Sequence, residues 1–141
     1  MTLQVNPFIL VDGTADEAIA FYQEALGAKL LFKQTVGEGP QNPEAPMSEA
    51  EQARIAHSVL LVGETKFFVA DQELNQPLTH GNGITICITV DTPDEARQLY
   101  NALGEGGTVD LELSPAYFSP AYGMVTDKFG VAFQIFTKRP Q

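Results

Sequence analysis

The sequence contains no tryptophan, one cysteine and few basic residues, and each scarcity narrows the range of possible functions. A single cysteine excludes an intrachain disulfide. The 8 lysine and arginine residues against 18 acidic residues give a formal net charge of −10 at pH 7. This negative field repels phosphate backbones and anionic lipid headgroups. We therefore expect neither nucleic acid nor a membrane as a partner.

Long apolar stretches are also missing, because no segment approaches the roughly 18 consecutive apolar residues that span a bilayer. The N-terminal segment MTLQVNPFILVDG has no basic leader before its short apolar run, so we expect a cytoplasmic protein. The composition, with 44% hydrophobic and 18% charged residues, is typical of a single folded domain over residues 1–141. The one cysteine, Cys87, lies in the apolar segment GITICITV and is expected to be a buried small residue.

An internal repeat is the strongest feature that the sequence does contain. The segment VDGTADEAIAFYQEALGAKLL at 11–31 has an echo in VDTPDEARQLYNALGEGGTVDL at 90–111. In each copy a threonine precedes a glutamate by three residues, which predicts a capping box at the start of an amphipathic helix. The predicted pairs are Thr14 with Glu17 and Thr92 with Glu95.

Strand-like segments surround both predicted helices. LQVNPFILV precedes the first helix, and KLLFKQTV, RIAHSVLLV and TKFFVAD follow it; GITICITV precedes the second, and TVDLEL, YGMVTD and VAFQIFTK follow. The sequence therefore predicts an α+β fold of two tandem βαβββ modules. Module one covers about 3–72, module two covers about 83–138, and residues 73–82 link them.

One segment of module one has no counterpart in module two. Residues 37–53, GEGPQNPEAPMSEAEQA, hold three prolines and four glutamates without lysine or arginine. Such a composition is typical of a solvated acidic loop, and the alternative is a lid over a binding site.

The duplicated modules resemble the vicinal oxygen chelate superfamily of glyoxalases, bleomycin resistance proteins and dioxygenases, and more narrowly its PhnB-like branch. The segments that carry the resemblance are PFILVDGTADEAIAFYQEALGAKL, IAHSVLLVGETKFFVAD, ALGEGGTV and YGMVTDKFGVAFQI. The resemblance implies a curved mixed sheet around a cavity that binds a small molecule. It also implies a homodimer, since relatives commonly pack their modules across a two-fold axis.

Metal-dependent members of the superfamily supply ligands from the first and last strand of each module. The resemblance places Asn6, Phe68, Thr85 and Gln134 at those four positions. None is a histidine or a carboxylate, which are the groups that replace the water shell of a divalent cation. We therefore expect no metal ligands and no cofactor in this chain.

His57 is one of only two histidines, and it lies inside a strand-like apolar segment. Counting from the predicted turn at Gly63 and Glu64 places Ala56 nearly opposite Asp71, with His57 adjacent. Three roles stay open for His57: a residue of the cavity wall, a group for ligand recognition or proton transfer, and, least favoured, a metal ligand.

The resemblance also indicates which residues line the cavity. The candidates are Asn6, His57, Val59, Phe68, Thr85, Phe118, Tyr122, Met124 and Gln134. They predict a binding protein for a small, partly apolar molecule. Two alternatives are a lyase, isomerase or transferase that uses His57 as an acid or base, and a drug-sequestering protein of the bleomycin-resistance type.

Overall fold

The computed structural model describes residues 2–140. Its strands are β1 (Phe8–Val11), β2 (Lys29–Thr35), β3 (Ile55–Val62), β4 (Thr65–Asp71), β5 (Ile86–Val90), β6 (Thr108–Ala116), β7 (Ser119–Thr126) and β8 (Ala132–Thr137). Its helices are α1 (Ala15–Leu26), the short α2 (Glu49–Ala53) and α3 (Pro93–Gly104), and a 3₁₀ turn covers Val36–Glu38. No helix within residues 2–140 is long and apolar enough to cross a membrane.

The chain divides into two compact units, one ending at Leu78 and the other beginning at Thr79. The first unit is a four-stranded sheet in the order β1-β4-β3-β2, and the second is a four-stranded sheet in the order β5-β8-β7-β6. In both, the first strand runs parallel to the fourth and the remaining pairs are antiparallel. The predicted α+β fold of two βαβββ modules is confirmed.

The core of each unit lies between its long helix and one face of its sheet. In the first unit Ile19 and Tyr22 of α1 are buried, as are Leu60 of β3 and Val69 of β4. The second unit repeats this arrangement, because Leu103 of α3 is buried together with residues of β7 and β8. Alternation along each strand turns the intervening side chains to the opposite face of the sheet.

The two long helices begin with different caps, and the predicted Thr14–Glu17 capping box is wrong. Thr14 makes no side-chain capping hydrogen bond. Instead, the Asp71 carboxylate accepts from the N–H of Ala15, the first residue of α1, at 3.0 Å. A carboxylate from the end of β4 thus satisfies one N–H in the first turn of α1, and it is a different N–H from that of Glu17, which a capping box uses.

The second helix follows the predicted pattern more closely. The Thr92 hydroxyl accepts from the N–H of Glu95 at 3.2 Å and donates to the Glu95 carboxylate at 3.0 Å. Pro93 occupies the first helical position, where its lack of an N–H leaves no donor to satisfy.

Three predictions about the strands need correction. Asn6 and Thr85 lie before β1 and β5, because β1 begins only at Phe8 and β5 only at Ile86. Cys87, expected to be buried, is exposed. The reason is its register: Cys87 pairs with Gln134, whose half-buried side chain alternates with the buried Phe133 and Ile135.

The acidic loop 37–53 is fixed at its base. The N–H of Val36 donates to the carbonyl of Arg54 at 2.8 Å, which joins the two ends of the loop. The Arg54 guanidinium donates to the Asp12 carboxylate at 2.7 Å and to the carbonyl of Gln72. These contacts tie the loop base to the ends of β1 and β4, while a lid role for the loop stays a prediction.

A capping box forms at the start of this loop instead. The Glu38 carboxylate accepts from the backbone N–H and from the hydroxyl of Thr35, both at 2.9 Å. These hydrogen bonds hold the pKa of Glu38 below its ordinary value, and the one from the backbone N–H of Thr35 has the larger effect.

We expect this capping box to weaken at acidic pH. Because the pKa of Glu38 is lower in the folded chain, its carboxylate stabilises the turn above the ordinary glutamate pKa of about 4.3, and the effect is lost as the pH falls through the lowered value. NMR titration of the Glu38 side chain should give a midpoint below the ordinary glutamate value. Thr35→Ala should raise the Glu38 midpoint; an unchanged midpoint would contradict the capping box.

Candidate functional site

Four aromatic side chains meet on the sheet face of the first unit that points away from α1. We call Phe8, Phe32, His57 and Phe68 the first aromatic face. The His57 ring lies 5.5 Å from Phe68, 6.1 Å from Phe32 and 6.3 Å from Phe8 between centroids. Phe8 is 54% exposed and Phe32 is 47% exposed. Large phenyl rings in contact with solvent are costly unless something covers them.

His57 is a member of this ring cluster, and within residues 2–140 no hydrogen bond to its imidazole is found. Asp71 does not pair with it. The β3–β4 pairs run from Val62–Thr65 to Val59–Phe68, and the same register continued would bring Ala56 opposite Asp71. However, one Asp71 oxygen accepts from the N–H of Ala15 and the other accepts from the N–H of Ile55 at 2.8 Å. Asp71 therefore holds the backbone together and leaves the imidazole of His57 without a carboxylate partner.

A second cluster of rings occupies the corresponding sheet face of the second unit. We call Phe118, Tyr122, Phe136 and Gln134 the second aromatic face. Phe118 lies 4.8 Å from Tyr122 between ring centroids and 6.0 Å from Phe136, whose ring is nearly parallel at 7°. The Tyr122 hydroxyl donates to the Gln134 Oε1 atom at 2.6 Å. This face combines a stacked aromatic surface with a polar pair.

The predicted cavity residues separate into two groups. His57, Val59 and Phe68 share the face of the first unit, since Val59 is the strand partner of Phe68. Met124 is the strand partner of Gln134 and belongs with Phe118 and Tyr122. Asn6 and Thr85 join neither ring cluster, and the Asn6 amide donates to the carbonyl of Lys66 at 3.0 Å.

Three ring residues were missed by sequence reasoning: Phe8, Phe32 and Phe136. Strand alternation contained the signal for two of them, since Phe8 lies two residues after Asn6 and Phe136 lies two residues after Gln134. Strand alternation does not predict the position of Phe32, because an irregularity between Leu30 and Phe32 shifts the register of β2 against β3.

The four positions that the superfamily uses for metal ligands do not fit a divalent cation in this chain. The Asn6 amide donates to a backbone carbonyl, Phe68 has no metal-binding atom, Thr85 offers only a hydroxyl, and the Oε1 atom of Gln134 accepts from Tyr122. Among the described residues, no group of three or more histidine, cysteine, aspartate or glutamate side chains is placed to hold a metal ion. The side chains at these four positions are therefore either aromatic or polar and uncharged.

A pocket of about 440 Å³ lies in the first unit at the base of the acidic loop. Its charged lining consists of Glu51, Arg54, Asp71 and Glu73. Arg54 and Asp71 are already committed to the contacts that fix the loop and α1. No local sequence pattern indicates this pocket, because its walls come from three separate segments, at residue 36, at 51–56 and at 71–74.

The chain belongs to the Glyoxalase/Bleomycin resistance protein/Dioxygenase superfamily, which matches residues 4–135. Among solved structures, protein PA1353 from Pseudomonas aeruginosa is similar, with 31% identity, a TM-score of 0.87 and coverage of 99% of this chain and 100% of that one.

Two further relatives cover nearly the whole chain. Protein YjdN of Escherichia coli (strain K12) is 24% identical over 139 residues, covering 94% of each chain. A Bacillus cereus structure described as a putative 3-demethylubiquinone-9 3-methyltransferase, PhnB protein, is 21% identical with a TM-score of 0.79, covering 96% of this chain and 99% of that one. At 21% identity, the comparison with the Bacillus protein shows that the two chains share a fold, and it shows nothing about activity.

Proposed function

We propose that this protein binds a small, partly apolar molecule against its aromatic faces, without the divalent metal that superfamily members commonly use. The observation that carries the proposal is the exposure of Phe8 and Phe32 beside His57 on a sheet face. A ligand that covers these rings removes apolar surface from water, at about 25 cal/mol per Å². Stacking on a ring adds about 0.5–1.5 kcal/mol.

We further propose that the protein belongs to the PhnB-like branch of the superfamily, which is supported by its similarity to the PhnB protein of Bacillus cereus. The residues at the four ligand positions support a site without metal, because they offer amide, hydroxyl and phenyl groups in place of carboxylates and imidazoles. We also propose a cytoplasmic homodimer, in keeping with the acidic composition and the superfamily's habit of pairing modules.

A second candidate function is catalysis with His57 as a general acid or base. It is favoured by the imidazole itself, which is half-buried and has both nitrogens available for a ligand. Imidazole is the side-chain group that most often acts as a general acid or base in enzymes. A third candidate function is sequestration of a cationic aromatic drug on the same surface. The chain's net charge of −10 attracts cations.

Ligand binding should depend on Phe32. A thermal-shift screen of metabolites and antibiotics identifies compounds that raise the melting temperature, since binding to the folded state stabilises it. For a compound that occupies the first aromatic face, Phe32→Ala should weaken binding about tenfold through the lost ring contact. Leu31→Ala removes a neighbouring side chain of similar exposure, 45% against 47%, and should leave binding unchanged.

Three further measurements separate the candidates. For a metal-free site, a bound compound should raise the melting temperature equally with and without EDTA. Loss of binding in the presence of EDTA would contradict a metal-free site. His57→Ala should weaken binding if His57 only recognises the ligand. If this variant binds normally but no longer converts the compound, the catalytic function is correct. Binding that is unaffected by Phe32→Ala for every compound would refute the first aromatic face as the site.

A further inference from the structure

The hydrogen bond between Tyr122 and Gln134 fixes which end of the Gln134 amide is available. Tyr122 has a single hydroxyl hydrogen, and it donates to Oε1 of Gln134 at 2.6 Å. The Nε2 amino group therefore points away from Tyr122. Within the described part of the chain this amino group has no hydrogen-bond partner, although the side chain is half-buried. Two amide hydrogens are left to donate.

The immediate neighbours of this amino group cannot serve as good acceptors. In the sheet register, Gln134 pairs with Cys87 on one side and with Met124 on the other. Both are sulfur side chains, which accept hydrogen bonds weakly. A ligand that removed this amide from water without supplying an acceptor would therefore leave its hydrogens unpaired, at a cost in free energy.

A cluster of aromatic rings lies next to this donor. Phe118 and Phe136 have nearly parallel rings, at 7° and 6.0 Å between centroids, and Tyr122 packs edge-on against Phe118 at 4.8 Å. A planar molecule that lies on these rings brings its edge toward the Gln134 amide. The edge must carry an acceptor, because covering the amino group with hydrocarbon would leave its hydrogens unpaired.

We infer that the second aromatic face selects an uncharged planar ring compound that presents a carbonyl oxygen to the Gln134 amino group. Tyr122 is the positioning residue, since it holds the amide in the donating orientation. An uncharged acceptor is favoured over a carboxylate or phosphate, because the chain's charge of −10 repels anions. This inference rests on the proposed function and specifies the ligand class for this face.

Two probes of matched size test the inference. Coumarin is planar and carries a lactone carbonyl, whereas naphthalene is planar and has no acceptor. NMR titration of the full chain should show coumarin binding about tenfold more tightly than naphthalene, the value of one hydrogen bond to a half-buried amide. Coumarin should also shift the side-chain amide resonances of Gln134, and naphthalene should shift them much less.

The Gln134→Glu variant distinguishes the contribution of the amide to binding from the contribution of the rings. The glutamate carboxylate still accepts from the Tyr122 hydroxyl, but it has no hydrogen to donate and repels a carbonyl oxygen. Coumarin affinity should fall at least tenfold in this variant, while naphthalene affinity changes less than twofold. Equal affinities for both probes in the unmodified protein, or coumarin binding that survives Gln134→Glu, would overturn the inference.

Tyr122→Phe tests the positioning role, and Tyr117→Phe is its control. Without the Tyr122 hydroxyl the amide is free to rotate, so the tenfold preference for coumarin should shrink toward equality while naphthalene still binds. Tyr117 is 90% exposed and contacts Phe118 only through its ring, so its variant should keep the full preference. If both probes bind equally well, the inference fails and the proposed function stands; if neither probe nor any screened compound binds, both fail.

Discussion

Leu60→Ala is expected to lower the free energy of unfolding by about 3 kcal/mol, the usual cost of emptying a fully buried leucine site. Leu60 has 0% of its surface exposed, and it lies on the face of β3 that packs against α1. The rigid strand and helix cannot collapse around the missing methyl groups, so a cavity adds to the lost transfer free energy. Chemical denaturation followed by circular dichroism measures the change.

Val59→Ala is the matched control, one residue earlier on the same strand. Val59 is half-buried and points to the first aromatic face, where its strand partner is Phe68. Because solvent already reaches this face, we expect a loss of about 1 kcal/mol or less. Similar losses for Val59→Ala and Leu60→Ala would show that both faces of β3 are core, and the first aromatic face would not be a free surface.

Asp71→Ala is expected to destabilise the protein by about 2–3 kcal/mol. The carboxylate satisfies two backbone donors from distant segments, the N–H of Ala15 and the N–H of Ile55. Loss of a helix cap costs about 0.5–2 kcal/mol, and the second unpaired donor adds to this. Asp71→Asn keeps one acceptor oxygen and should recover about half of the loss. Thermal and chemical unfolding of the three proteins give these values.

The second unit supplies a control at the equivalent position. Val11 pairs with Asp71 in the first unit, and Val90 pairs with Thr137 in the second. Thr137 is fully buried, and its hydroxyl is without a hydrogen-bond partner among the described residues. Thr137→Val removes that hydroxyl at constant shape, so we expect unchanged stability or a gain of up to about 1 kcal/mol. Marked destabilisation by Thr137→Val would show that the hydroxyl has a partner.

The difference between Asp71 and Thr137 follows from the first residue of each helix. α1 begins with Ala15, whose N–H needs an acceptor, and the nearby strand end provides a carboxylate. α3 begins with Pro93, which has no N–H, so an acceptor at the end of β8 has nothing to bind. The two repeats share a topology, but the proline at the start of α3 removes one of the two N–H donors that a carboxylate binds in the first unit.

The sequence by itself determined the elements and their order. Helical and strand periodicities, glycine turns and the repeat at 11–31 and 90–111 arise from neighbouring residues, so they are readable without any contact map. The resemblance carried by the sequence also led us to expect Phe68 and Gln134 at positions where metal-dependent members have carboxylates or histidines.

Only the tertiary structure decided what those side chains do. Asp71 serves an N–H that is 56 residues away, His57 lies among three phenyl rings from three other strands, and the Gln134 amide is oriented by Tyr122. Each is a contact between residues far apart in sequence, where a shift of one residue in a strand reverses the facing side. Local patterns fix periodicity, whereas partners depend on register, and register is settled by packing between strands.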